Sequence, residues 1–236
     1  MNLQSNISPK GIDISRVKGL LFDIDGTLSD TDDHMVNRLV KALRPINWMF
    51  RGQNPQNFAR WLVMASETPA NFVYGVADRL GLDNLYAKIY NRSTRRPPSK
   101  RFLQNNHLLI PGVKQMLETL YGRYPMGVVS ARDERTSVAF LEAFSLKEYF
   151  EIIVTAQTCR YTKPYPDPII FAAEKLEIAP DNCVMIGDTI VDVRAGNAAG
   201  AQTIGVRCGF GTHRELEKAG ADVILAQTPD ILNIFP

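Results

Sequence analysis

Six short apolar, β-branched runs punctuate this chain: Val17–Phe22, Met126–Ser130, Ile152–Thr155, Cys183–Ile186, Thr203–Val206 and Asp222–Leu225. Between the later ones lie Glu134–Phe144, Pro168–Leu176, Val191–Ala199 and Arg214–Ala219, with apolar residues at helical spacing among Ala, Glu and Lys. Strand, helix, strand in repetition requires crossover connections and so a mainly parallel sheet. Such a sheet is buried on both faces, which suits continuous runs such as GVV and CVMIG. With 236 residues and 45% of them hydrophobic, the chain can bury a core of that kind. The expected fold class is therefore α/β, a Rossmann-like three-layer core.

The gap between the first two runs breaks the rhythm. From Ser29 to about Leu109 the pattern offers no convincing strand. Helical stretches replace it, Asp33–Leu43, Phe58–Met64, Pro69–Leu80 and Leu82–Tyr90, separated by Pro, Gly and Asn. The expectation is an α/β core formed by 1–29 and 110–236, with an all-helical cap domain inserted over 30–109. NRSTRRPPSKR (91–101) is a basic segment whose Pro-Pro argues against regular structure; a solvated linker is the plainer reading of it.

In an open parallel sheet, ligands bind beyond the carboxyl ends of the strands. That is where the polar residues fall. Asp23, Asp25 and Thr27 follow the first run, Ser130 and Ala131 the second, Lys163 lies downstream of the third, and Asp188 and Asp192 follow the fourth. Asp188 and Asp192 are four apart, so a helix beginning at Asp188 would bring both onto its first turn. With Asp23 they make three hard-oxygen donors and no His or Cys, a set suited to Mg²⁺. Ser130, the neighbouring backbone N–H at Ala131, and Lys163 can hold the equatorial oxygens of a transferring phosphoryl group. Asp23 can attack phosphorus, while Asp25 protonates the leaving oxygen and later takes a proton from water.

Each piece alone has a duller explanation. DxDGT is a common turn, Ser130 a satisfied strand-end hydroxyl, Lys163 a solvated lysine, and GDTIVD a helix N-cap. Their occurrence in order, each after its own strand, favours the joint reading.

DIDGT, VVS, KPYPDP and GDTIVD resemble, in order, the four motifs of the haloacid dehalogenase superfamily. AGNAAG (195–200) and GVRCGFGTHRELEKAGADVIL (205–225) are similar to its phosphoglycolate phosphatase-like branch. The resemblance implies Asp23 as nucleophile and Asp25 as acid/base, with the Asp25 backbone carbonyl also on Mg²⁺. It implies Asp188 as a metal ligand and Asp192 as a ligand or a supporting partner. Ser130 and Lys163, with Thr27 and Ala131, would hold phosphate. Dehalogenase members lack the aspartate two residues past the nucleophile, so Asp25 speaks against C–halogen cleavage. Ser-Ala-Arg departs from the Asn or Gly that many relatives carry after the hydroxyl residue; Arg132 reads first as a surface arginine at a helix start, with a reach to substrate as the other reading.

The expected activity is hydrolysis of a small phosphorylated metabolite, a phosphoglycolate-like monoester, through an aspartyl-phosphate. Two other readings share much of the pattern: a sugar-phosphate mutase, and a non-catalytic aspartyl-phosphate receiver. A formal charge of +2 gives no basis for nucleic-acid binding. No apolar run approaches the ~18–20 residues of a membrane span. Three scattered cysteines and a polar N-terminus without a signal-peptide core suit a cytoplasmic protein. His34, His107 and His213 lie outside the motifs, GFG (209–211) reads as a turn, and no pattern speaks to oligomeric state.

Overall fold

A computed structural model describes residues 11–30 and 108–236. The chain divides into two units, Met1–Thr31 with Lys100–Pro236, and Asp32–Ser99. The described residues belong to the first. The expected cap helices, the basic run 91–101, His34 and His107 lie outside them.

All six apolar runs become strands of one parallel sheet: β1 (Gly19–Phe22), β4 (Met126–Val129), β5 (Ile152–Val154), β6 (Cys183–Gly187), β7 (Gln202–Val206) and β8 (Val223–Leu225). Their spatial order is β5-β4-β1-β6-β7-β8. β1 is therefore central, and the chain steps away from it first on one side and then on the other. That reversal opens a crevice at the carboxyl ends of β1 and its neighbours, where open α/β sheets take ligands.

Alternation along the strands explains why both faces are apolar. Leu20 and Phe22 of β1, with Val184 and Ile186 of β6, pack with helices α1 (Val113–Leu120) and α2 (Glu134–Ala143). Leu21, Cys183 and Met185 point the other way, toward α3 (Asp167–Lys175) and α4 (Ile190–Ala198). A fifth helix, α5 (His213–Ala219), starts at a capping box in which Thr212 and Glu215 satisfy each other's backbone N–H groups. Among the described residues no helix is long and apolar enough to cross a membrane.

Two elements depart from the expected pattern. Ser29–Asp30 (β2) and Leu108–Leu109 (β3) pair antiparallel, in the stretch read as strand-free. A two-residue ladder has no periodicity to read, yet it ties together the two points where the chain leaves and re-enters the core. Helix α1 has no start signal in the sequence: its N-cap is Gly112 in a left-handed conformation, which offers no side-chain cap.

Candidate active site

Asp23 directly continues β1, and its backbone N–H donates to Ile186 O at 2.9 Å, so the sheet itself fixes its position. The chain then folds tightly. The N–H groups of Leu28 and Ser29 both reach Ile24 O, at 2.9 and 2.8 Å, and Gly26 turns with φ +69°. A Cβ at Gly26 would stand 2.3 Å from Asp188 Oδ2, so glycine is required here for both the turn and the close approach.

Lys163 is not a solvated lysine. It is 4% exposed, and its Nζ lies 2.9 Å from Asp23 Oδ1 and 2.5 Å from Asp192 Oδ1, while donating to Val129 O at 2.8 Å. An ammonium has three protons, and here each has an oxygen. Ser130, at the end of β4, is buried; its N–H bonds Val154 O at 2.9 Å and its Oγ accepts from Arg132 N at 3.2 Å. Ala131 is exposed beside it.

The two later aspartates do not share a helical turn. Asp188 directly follows β6, Thr189 is the N-cap, and α4 begins at Ile190. Asp192 is the third helical residue, and its Oδ2 accepts from Thr189 N at 3.0 Å and Thr189 Oγ1 at 2.6 Å. They still meet, because the strand end delivers one and the capping box the other. Oxygens of Asp23, Asp188 and Asp192, all buried, lie within 4.8 Å of one another. Asp192 already spends one oxygen on Lys163 and the other on the Thr189 cap, which makes it a brace for the cluster.

Thr27 is wholly buried; its Oγ1 makes no hydrogen bond among the described residues, and its carbonyl accepts from Thr228 Oγ1 at 2.6 Å. Asp25 lies nearer the surface and is gripped by Arg132, whose Nε donates to Oδ2 at 2.6 Å and whose Nη2 donates to Oδ1. The Arg132 side chain is only 11% exposed, which corrects its reading as a surface arginine. The sequence held no sign of this, because the partner lies 107 positions away.

The Gly209–Gly211 loop after β7 wraps Asp188: Phe210 N donates to its Oδ2 at 2.8 Å and Gly211 N to its carbonyl at 3.1 Å. A Cβ at Gly209 would fall 2.0 Å from Asp188 Oδ2. The GFG turn is thus part of the site, and the rule that ligands gather at strand carboxyl ends would have found it.

Electrostatics follow from this packing. Burial pushes the Asp23 carboxyl up to about 7, against the pull of Lys163 and with further help from Asp192 and Asp25. Burial would lower Lys163, but Asp192 and then Asp23 hold it above the usual lysine range. Three buried carboxylates face one ammonium, so the cluster carries more negative charge than it neutralises. A small divalent cation fits that imbalance and the all-carboxylate donor set.

Residues 20–206 match the family model described as haloacid dehalogenase-like hydrolase. The chain is similar to a phosphoglycolate phosphatase of Escherichia coli O157:H7, with 26% identity over 92% of this chain and 91% of that protein. It is similar to the pyrophosphatase PpaX of Oceanobacillus iheyensis, with 27% identity over 92% of this chain and 96% of the relative. Among solved structures it resembles a hydrolase from Pseudomonas syringae, at TM-score 0.60 and 25% identity, covering 92% and 97% of the two chains.

Proposed function

The chain belongs to the haloacid dehalogenase-like hydrolases, and from that premise we propose that it is a Mg²⁺-dependent phosphatase of a small phosphorylated metabolite. The observation that carries this is the meeting of Asp23, Lys163, Asp188 and Asp192 at the carboxyl end of the central strand. The relatives named as phosphoglycolate phosphatase and pyrophosphatase support phosphoryl chemistry, and a compact phosphoglycolate-like monoester is the substrate class we favour.

Asp23 attacks phosphorus through a carboxylate oxygen, and the bond from phosphorus to the leaving oxygen breaks. Asp25 gives its proton to that oxygen. Water, losing a proton to Asp25, then attacks phosphorus of the aspartyl-phosphate; Asp23 is regenerated and phosphate leaves. Lys163 holds a positive charge against Asp23 and the phosphoryl oxygens, and Ser130 with the Ala131 N–H positions those oxygens. Thr27, read with them as phosphate-binding, is wholly buried, and its carbonyl accepts from Thr228 Oγ1. Asp23, Asp188 and the Asp25 carbonyl would hold Mg²⁺, with Asp192 bracing them or joining them. When bound, Mg²⁺ offsets the negative charge of carboxylates and phosphoryl group together. The inserted segment 30–109 is the region we assign to substrate discrimination.

The test is phosphate release over a panel of phosphorylated metabolites, with Mg²⁺ and after thorough chelation. Turnover of a compact monoester that collapses on chelation is expected. Activity undiminished by chelation would remove the metal from the account.

A further inference from the structure

The phosphoryl-transfer reading leaves Arg132 without a task, yet few side chains of the site are held from so many directions. Its main chain is tied twice, N–H to Ser130 Oγ at 3.2 Å and carbonyl from Ala156 N at 2.9 Å. Its guanidinium carbon lies 5.3 Å from the ring centre of Phe140, a wholly buried residue of α2. From that backing the fork reaches Asp25 with one nitrogen on each carboxylate oxygen. A cation-π contact on one side and a two-point ion pair on the other leave the guanidinium plane little freedom.

We propose that Arg132 is a positioning residue for Asp25, setting the angle from which its carboxyl group exchanges a proton with the leaving oxygen. The inference rests on the reading of Asp25 as proton carrier. A single charge near Asp25 needs no fork; a lysine would supply it. Two parallel donors fix rotation about the carboxylate as well as its place, and only arginine offers them. The consequence is mechanical coupling. Ser130, which would hold the phosphoryl group, and Asp25, which would serve its leaving oxygen, are joined through Arg132 into one piece. Misplacing a catalytic group by about 1 Å costs on the order of 10²-fold in rate, so the coupling has a measurable consequence.

The test uses leaving-group dependence in the full chain with Mg²⁺ present. An alkyl phosphate needs its leaving oxygen protonated, whereas p-nitrophenyl phosphate expels a stabilised anion and needs little help. Arg132→Ala should lower kcat/KM for the alkyl ester about 10²-fold and for the aryl ester less than about 5-fold. Inhibition by inorganic phosphate should be unchanged. Arg132→Lys, which restores the charge and not the fork, should recover only part of the alkyl loss. Should the alanine variant fail to fold, Arg132→Gln carries the same comparison. An equal loss on both esters, or full rescue by lysine, overturns the positioning role. Asp25→Asn is the reference: if it fails to discriminate between the esters, the proton-carrier reading falls and the inference with it. If it discriminates and the Arg132 variants do not, the inference alone falls.

Discussion

Asp23 and Asp25 are one residue apart and live in different worlds. Asp23 stands on the floor of the crevice, buried, in contact with a buried lysine, with its carboxyl pushed up to about 7 by that burial. Asp25 stands on the rim, its side chain 32% exposed, held by an arginine that enters from another strand's loop. In a continuing strand these two side chains would share a face; the difference arises because β1 ends at Phe22 and the chain turns tightly around Ile24 and Gly26, which carries Asp25 away from Asp23. One carboxylate is thereby placed to be a fixed nucleophile and the other to meet leaving group and water. Floor and rim should respond differently to perturbation.

The largest effect should come from the floor. Lys163→Met removes the ammonium shared by Asp23 and Asp192 and leaves buried charge uncompensated, a loss of about 3–5 kcal/mol in the metal-free protein. Thermal unfolding with and without Mg²⁺ measures it, and added Mg²⁺ should return part of the loss. A variant as stable as the parent without metal would mean the floor pair is not under strain from burial.

At the rim the order reverses, with catalysis suffering more than stability. Asp25→Asn should lower kcat by about 10²–10⁴-fold, while costing about 1 kcal/mol or less, because the ion pair is partly exposed. Steady-state kinetics beside denaturant unfolding gives both numbers.

The floor should also give the pH signature. Asp23 binds its proton more tightly in the folded protein than its ordinary 3.8. Between about pH 4 and 7 the folded state then holds more protons, so stability falls as pH rises across that window. The effect should amount to a few kcal/mol in metal-free protein, flatten in Asp23→Asn, and shrink when Mg²⁺ is added. Unfolding midpoints against pH, with and without metal, provide the check.

The smallest effect concerns how the floor is walled. Gly209→Ala would drive a methyl group into Asp188 Oδ2, displacing an expected ligand. Metal affinity should drop about 10–100-fold, read from Mg²⁺ activation curves, with phosphate inhibition at saturating metal little changed.

What could be read beforehand divides along the same line as floor and rim. The six strands and the places of Asp23, Ser130 and Asp188 were legible because each follows from a local pattern: an apolar run buried on both faces, then a polar residue at its carboxyl end; Lys163 and Asp192 stand further along, in a loop and on a helix's first turn. Arg132 was misread because its environment is made by Asp25 and Phe140, neither of which its own neighbours announce. The β2–β3 ladder is too short for a periodic signal, and the Thr189 cap starts the helix at Ile190, which leaves Asp188 outside its first turn. The grip of Gly209–Gly211 on Asp188 depends on backbone passing close to a carboxylate from a different strand. Such approaches are three-dimensional facts that a linear pattern only hints at through its glycines.

The central claim is that Asp23 carries the phosphoryl group. Its most direct test is rapid-quench mass spectrometry of Asp25→Asn mixed with p-nitrophenyl phosphate and Mg²⁺. There the good leaving group lets the first step proceed, while loss of the base slows the second. The account predicts that the peptide containing Asp23 gains the mass of one phosphoryl group within a turnover, and that Asp23→Asn abolishes the gain. Release of p-nitrophenol with that peptide unmodified, or the phosphoryl group on another residue, would contradict it.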